Sequence, residues 1–223
     1  MSNRRIVIPD IHGCARTFIR LIQDVIRLRP ADRLYILGDM IDRGPRSKEV
    51  IDAILRLQST GFAVQPVRGN HEEMLLNACN DLNDFRLWML NGGHATLASF
   101  NVEAPAELPR HYREFFQGLP YYIELNDFIL LHGNLNFRIQ DPLSDTEAMI
   151  WLRSTEVQKE RIGGRRVIGG HTPLPREEIE KSLAADKIML DNGCVYKGVH
   201  GLGNLAALEL NSMTLYFQEN IDL

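Results

Sequence analysis

Six short apolar runs constrain this chain most: "RIVIPD", "RLYILGD", "AVQPVRGN", "FILLHGN", "RVIGGH" and "KIMLDNG", each stopping on polar or glycine residues. Such runs, rich in aliphatic and β-branched residues, read as buried strands. What stands at or just past their ends is chemically unusual: Asp10 and His12, then Asp39 and Asp42 with Arg43, then Asn70 and His71, then His132, then His171. Four of the seven histidines fall at these ends, so the histidines are not scattered as ordinary core residues would be.

Between the runs lie helical patterns. In "ARTFIRLIQDVIRL", Phe18, Leu21, Ile22, Val25 and Leu28 recur at spacings of three and four and so line one face. A second pattern spans residues 47–60, and a third, "DFRLWMLNGG", can end at Gly92 and Gly93. Strand, helix, strand, helix, strand over the first 70 residues predicts parallel βαβ units. Later, "YYIELNDFILLHG" reads as a hairpin turning at Asn126 and Asp127, and "NLAALELNSMTLYF" as another, so an α/β fold with mixed rather than purely parallel sheets is expected. "VEAPAELPRHY" reads as the most exposed segment.

The chain is long enough for one sizeable core, and we expect a single domain over residues 1–223. A net charge of -4 lacks the positive field that nonspecific nucleic-acid binding needs, so no nucleic-acid partner is expected. Cys14, Cys79 and Cys194 have no paired spacing, which argues for a reducing compartment. "MSNRRIVIPDIHG" offers only a three-residue apolar run before a proline, so neither export nor a membrane association is expected, and the predicted location is cytoplasmic.

Carboxylates, imidazoles and an amide oxygen at the carboxyl ends of strands converge on the crevice where α/β folds place their sites. Buried without a cation or a dense hydrogen-bond network, such groups would carry a large desolvation penalty. Nitrogen and oxygen donors without thiolates suit Mn²⁺, Fe or Zn²⁺ better than Ca²⁺. A pair of ions about 3.5–4 Å apart, bridged by one carboxylate, uses more of these groups than a single ion can.

"DIHG", "GDMIDRG", "GNHE", "LLHGN" and "GGHT", in this order across roughly residues 5 to 175, resemble the signature blocks of the calcineurin-like metallophosphoesterases. "VRGNHEEMLL", "LWMLNGGHATLASF" and "IMLDNGCVYKG" resemble, more narrowly, the small bacterial and bacteriophage serine/threonine protein phosphatases. The resemblance implies a four-layer α/β/β/α sandwich with two mixed β-sheets and two divalent ions, Mn²⁺ first among the candidates. It implies Asp10 and His12 as ligands of the first ion, Asp39 as the bridge, and Asn70, His132 and His171 as the remaining ligands of the second. His71 then corresponds to a general acid and Asp42 to the carboxylate that orients it, whereas the plain alternative for Asp42 is a turn residue. Arg43, Asn70 and, less securely, Arg153 in "MIWLRS" correspond to the groups that hold the substrate phosphate; the plain alternative for Arg153 is a solvated helix arginine.

The implied activity is hydrolysis of phosphoserine and phosphothreonine in a phosphoprotein or phosphopeptide partner, with phosphotyrosine and aryl phosphates as additional substrates, by in-line attack of a metal-held water. A related branch hydrolyses dinucleoside polyphosphates; its second block generally lacks the aspartate equivalent to Asp42, so "DRG" weighs toward phosphomonoesters. A binding module that keeps the fold without catalysis would be expected to lose ligands, and none is lost here. Some features depart from the family pattern. Pro9 stands before Asp10 and removes a ladder donor, "HGNLNF" follows His132 in place of the usual run, and "YKGVHGLGN" is long, with His200 read as a loop residue. His94 and His111 fall on helical patterns as ordinary residues. Glu72 and Glu73 favour a helix start, and Glu72 is placed to brace the site.

Overall fold

The computed structural model describes residues 3–223. All six apolar runs are strands: β1 (Arg5–Ile8), β2 (Arg33–Ile36), β3 (Ala63–Pro66), β5 (Phe128–Leu131), β6 (Arg166–Gly169) and β7 (Lys187–Met189). β4 (Tyr122–Glu124) precedes β5, and β8 (Asn204–Glu209) and β9 (Thr214–Glu219) close the chain. They form a five-stranded sheet in the order β3-β2-β1-β8-β9 and a four-stranded sheet in the order β4-β5-β6-β7. Both are mixed. β1, β2 and β3 run parallel with Ile8 opposite Ile36 and Ile36 opposite Pro66, while β8 and β9 are antiparallel. In the second sheet β5, β6 and β7 are parallel, and β4 pairs antiparallel with β5 through the turn at 126–127.

The helices are α1 (Ala15–Arg20), α2 (Ser47–Ser59), α3 (Asn70–Ala78), α4 (Leu82–Trp88), α5 (His94–Phe100), α6 (Arg110–Gln117), α7 (Thr146–Trp151) and α8 (Arg176–Ser182). The period-two alternation of the strands assembles the layers. Val7, Tyr35 and Leu37 meet Phe128, Leu130, Ile168 and Ile188 between the sheets. Ile6, Ile8, Leu34 and Ile36, one residue out of step, pack under Phe18, Ile51, Ile54, Leu97 and Phe116 of the helices. Ile129, Leu131 and Val167 pack on Met149 and Ile162 on the far side. Each fully buried aliphatic side chain contributes about 1.5–3 kcal/mol, so a one-residue slip of any central strand would empty two layers at once. The result is the four-layer arrangement, with a thin outer layer beyond the second sheet.

Two helical expectations change in detail. The first pattern is α-helical only to Arg20, then widens through Leu21–Val25 and ends at Arg27, which has φ 53°. The third does not stop at the glycines: α4 continues in wider turns through Gly93, bends where Gly92 takes φ 105°, and restarts as α5. The segment read as most exposed buries Pro105, Leu108 and Tyr112. β1 ends at Ile8, as expected of a strand followed by Pro9. Among the described residues no helix is long and apolar enough to cross a membrane.

Candidate active site

Parallel pairing in register brings the ends of β1, β2 and β3 to one edge, and β5, β6 and β7 deliver theirs to the same crevice. The first loops are tied together through one carbonyl, since Ile11 N and His12 N both donate to Asp39 O, at 3.0 and 2.9 Å. The two sheets meet where His132 Nε2 lies 3.4 Å from Asp39 Oδ2 and 2.8 Å from Asn70 Oδ1. His171 N donates to both carboxylate oxygens of Asp10 at 3.1 Å. All of the residues singled out at strand ends therefore lie around one centre, and Asp10, His12, Asp39, Asp42, Asn70, His71, His132 and His171 are buried there.

The backbone is strained at this centre. His12, Asp39, Asp42, Arg43 and His171 have φ values of 46, 46, 70, 67 and 67°. These five account for most of the eight non-glycine residues with positive φ among the described residues, so the strain is concentrated at the site. Each such conformation costs about 1–3 kcal/mol and persists only where the surroundings enforce it. Gly38, at φ 87°, lies so close to Gly69 that a Cβ would collide with its backbone. Glu72 supplies the enforcement at Asp39: its Oε2 accepts from Asp39 N and Gly69 N, both at 2.9 Å, and its Oε1 from Met40 N at 2.7 Å.

The tautomers follow from the backbone partners. His12 Nδ1 donates to Ile41 O at 2.9 Å and His132 Nδ1 to Leu37 O at 2.8 Å, leaving both Nε2 lone pairs turned inward. Arg43 Nη1 donates to the His12 lone pair at 2.7 Å. Around His132 Nε2, by contrast, stand His171 Nδ1 at 3.0 Å, Asn70 Oδ1 and Asp39 Oδ2. The inward lone pair of His132 Nε2 thus faces two oxygen acceptors, with a ring nitrogen of His171 beside it. Nε2 of His171 and of His71 are buried without a partner.

Burial, then the neighbouring Asp191, pushes the Asp10 carboxyl well above the usual carboxylate range; burial, then Asp10 and Glu72, does the same to Asp39. Burial pushes Glu72 to about 7 and Asp191 to about 6. The imidazoles move the other way. Burial holds His12 and His132 well below their ordinary value, and burial and Arg153 hold His171 near 3. Neutral imidazoles beside crowded carboxylates are the form in which these groups ligate a cation, and a divalent ion would relieve both the crowding and the facing lone pairs. The donors form two groups, His12–Asp39–His71 and Asp39–His132–His171, with Asp39 common to both. Asp39 thus stands where the two groups meet. Asp10 stands outside both groups. The residues fit two ions with nitrogen and oxygen ligation.

Asp42 does not end as a turn residue bonded to its own backbone. Its Oδ2 lies 2.7 Å from His71 Nδ1 and accepts from Trp88 Nε1 at 2.8 Å; its Oδ1 accepts from Thr96 Oγ1 at 2.6 Å. Burial raises Asp42 to about 7 although Thr96 and Trp88 oppose the rise, and burial and Arg43 lower His71. Arg153 is not a helix residue. It follows α7 at the rim, where Nη1 donates to His171 O at 2.8 Å and to Thr172 Oγ1 at 3.1 Å. The run after His132 explains its placement: buried Asn134 donates to Ser154 O at 2.8 Å and Glu156 O at 3.0 Å, pinning the strap that carries Arg153.

His200 lies in an exposed loop, and His94 and His111 are exposed on helices. Sequence reasoning passed over Asp191, although "KIMLDNG" brings a carboxylate to its strand end as "RIVIPD" and "RLYILGD" do. It also missed Lys187, which donates to Gly133 O behind His132 and which burial brings down to about 7. Trp88 and Thr96 lie in the block "LWMLNGGHATLASF", but no role for them was legible there, because they reach Asp42 from helices 46 and 54 residues away.

Two mixed sheets deliver buried aspartate, histidine and asparagine to one crevice, a donor set of the kind that holds divalent metal ions. Residues 4–200 match the family model described as calcineurin-like phosphoesterase, and the chain belongs to that family. It is 26% identical to an asymmetrical bis(5'-nucleosyl)-tetraphosphatase of Geobacillus thermodenitrificans, over 93% of this chain and 91% of that protein. It is 29% identical to serine/threonine-protein phosphatase 1 of Salmonella typhimurium, over 86% of this chain and 87% of that one. A solved protein serine/threonine phosphatase from Saccharomyces cerevisiae shares the fold with a TM-score of 0.66 at 15% identity, covering 100% of this chain and 81% of that one. Relatives of both activities align over nearly the whole chain, so the ordered blocks identify the family and not the substrate.

Proposed function

We propose that this protein is a metal-dependent phosphomonoesterase that hydrolyses phosphoserine and phosphothreonine in a phosphoprotein or phosphopeptide, with phosphotyrosine and aryl phosphates as additional substrates. The observation that carries this reading is the buried His71–Asp42 pair, with Nδ1 and Oδ2 2.7 Å apart and His71 Nε2 left free toward the centre. A serine or threonine oxygen is a poor leaving group and needs a proton in the transition state, which a positioned imidazole supplies. A nucleotide phosphate released from a polyphosphate chain needs far less help. Two divalent ions, Mn²⁺ first and Fe or Zn²⁺ next, would supply a lowered pKa for the attacking water and charge neutralisation at the phosphoryl oxygens.

The chain's own residues then divide the remaining tasks. Asp10, His12, Asp39, Asn70, His132 and His171 would hold the ions. Arg43 at the centre, Arg153 at the rim and the Asn70 amide hold the phosphoryl group, a guanidinium fork being suited to its oxygens. His71 would deliver a proton through Nε2 to the leaving oxygen; burial and Arg43 disfavour its charged form, and the Asp42 carboxylate 2.7 Å from Nδ1 works against them while keeping the ring aimed. The tetraphosphatase relative, similar over nearly the full length, favours a second reading as a dinucleoside polyphosphate hydrolase. The first reading is tested by adding Mn²⁺ to purified protein and following phosphate release from phosphopeptides and p-nitrophenyl phosphate. Release from both supports it, and no release from either excludes it.

A further inference from the structure

The segment "WMLNGGHAT", residues 88–96, holds no candidate metal ligand, yet three of its residues grip the loop that carries Asp42 and Arg43. Trp88 and Thr96 are fully buried and donate to opposite oxygens of Asp42, at 2.8 and 2.6 Å. Asp42 N in turn donates to Thr96 Oγ1 and Ser47 Oγ, both at 3.0 Å, and Arg43 N donates to Gly92 O at 3.3 Å. The bend between α4 and α5 makes this convergence geometrically possible. Gly92 sits at φ 105° against Arg43, where a Cβ would lie 2.8 Å from Arg43 Cγ, and a Cβ on Gly93 would lie 2.5 Å from the Trp88 ring.

A carboxylate that accepted only from His71 could rotate about its Cβ–Cγ bond and carry the imidazole with it. Donors on both oxygens remove that freedom. We infer that Trp88 and Thr96 are positioning residues: they fix the plane of the Asp42 carboxylate and thereby aim His71 Nε2 at the leaving oxygen. The device serves substrates whose departing alcohol must be protonated, so it specialises the site for alkyl phosphates. This inference rests on the reading of His71 as the acid given above.

Purely structural polar satisfaction would predict a different outcome, because loss of a core hydrogen bond lowers stability without regard to the leaving group. The decisive experiment compares metal-loaded wild type, Thr96→Val, Thr96→Ser, Trp88→Phe and His71→Asn on a phosphoserine peptide and on p-nitrophenyl phosphate, with metal content measured on each. Thr96→Val and Trp88→Phe are expected to lose about 10- to 100-fold in kcat on the peptide, part of the 10²–10⁴-fold that a general acid contributes, and less than about threefold on the aryl ester. Thr96→Ser is expected to stay within about threefold of wild type on both, since it keeps the hydroxyl donor. Equal losses on both substrates in Thr96→Val or Trp88→Phe, or a serine variant as impaired as the valine one, overturn the inference. His71→Asn separates the two levels: selective loss there with uniform loss at Thr96 removes only the positioning role, whereas uniform loss in His71→Asn removes the acid itself. The Thr96 pair and the Trp88 variant each decide independently, so failure of one to fold leaves the other to decide.

Discussion

His71 Nδ1 and Asp42 Oδ2 stand 2.7 Å apart with neither side chain exposed to solvent, while Asp39, three residues before Asp42, is common to both groups of side chains that could hold a metal ion. Asp42 meets His71 at ring Nδ1, whereas Asp39 accepts from His71 N at 3.1 Å and lies 3.8 Å from its Nε2, among the donors at the centre. Replacing Asp39 with Asn is expected to lower metal content and to reduce activity on every substrate by about 10²-fold or more, because both ions lose a ligand. Replacing Asp42 with Asn is expected to leave metal content within error of wild type. Elemental analysis of the two variants checks this, and equal metal loss in both contradicts the division.

Glu72 accepts three backbone N–H groups that hold Asp39 and Gly69 in place. The Glu72→Gln change turns an amide donor toward at least one of those N–H groups, at a cost of about 2–4 kcal/mol for the buried bonds lost. Urea denaturation is expected to show that loss, and calorimetric titration with Mn²⁺ to show weaker binding. Unchanged metal affinity would mean that Asp39 holds its left-handed conformation without help.

Asn134 ties His132's loop to the strap that carries Arg153. The Asn134→Ala variant is expected to raise KM for a phosphorylated substrate by about three- to tenfold while kcat changes little, the pattern of lost binding common to ground and transition states. Arg153→Ala should do the same. A fall in kcat with KM unchanged would place Arg153 in the transition state only.

A stability prediction concerns a residue far from the site. Asp32 is buried between Arg4, at 2.6 Å, and Arg29, at 3.1 Å. Burial works to raise its pKa, but the hydrogen bonds from Arg4 and Arg29 outweigh it and hold the carboxyl well below the usual range. A folded-state pKa below the unfolded value of about 3.9 means that the stabilisation is fully present above about pH 4 and is lost as pH falls through the folded value. Asp32→Asn is therefore expected to cost about 1–3 kcal/mol at pH 7, and the gap from wild type should close in acid. A gap constant from pH 7 to pH 3 would contradict the ion-pair account.

The fold was legible because its strands are short, apolar and punctuated: alternation in "RIVI" and "RLYI" sorts Ile6 and Val7, or Leu34 and Tyr35, into different layers without ambiguity. The convergence of the candidate ligands was legible for the same reason, since they stand where strands stop. Helix boundaries were less so, since periodicity says which face is buried but not that the turns after Arg20 widen or that α5 restarts beyond Gly92. What supports the site was least legible. Trp88, Thr96 and Asn134 stand in segments that the sequence marks, "LWMLNGGHATLASF" and "HGNLNF", but they act through contacts across long sequence separations, which local pattern does not reveal.

The most direct test of the proposed activity is a side-by-side measurement of kcat/KM on the Mn²⁺-loaded protein for a phosphoserine peptide and for a bis(5'-adenosyl) tetraphosphate. Built around the buried His71–Asp42 pair, the site is expected to favour the peptide by about tenfold or more, the general-acid contribution that an alkyl leaving group requires and a nucleotide phosphate does not. A preference of that size for the tetraphosphate would contradict the account and make the protein a dinucleoside polyphosphate hydrolase.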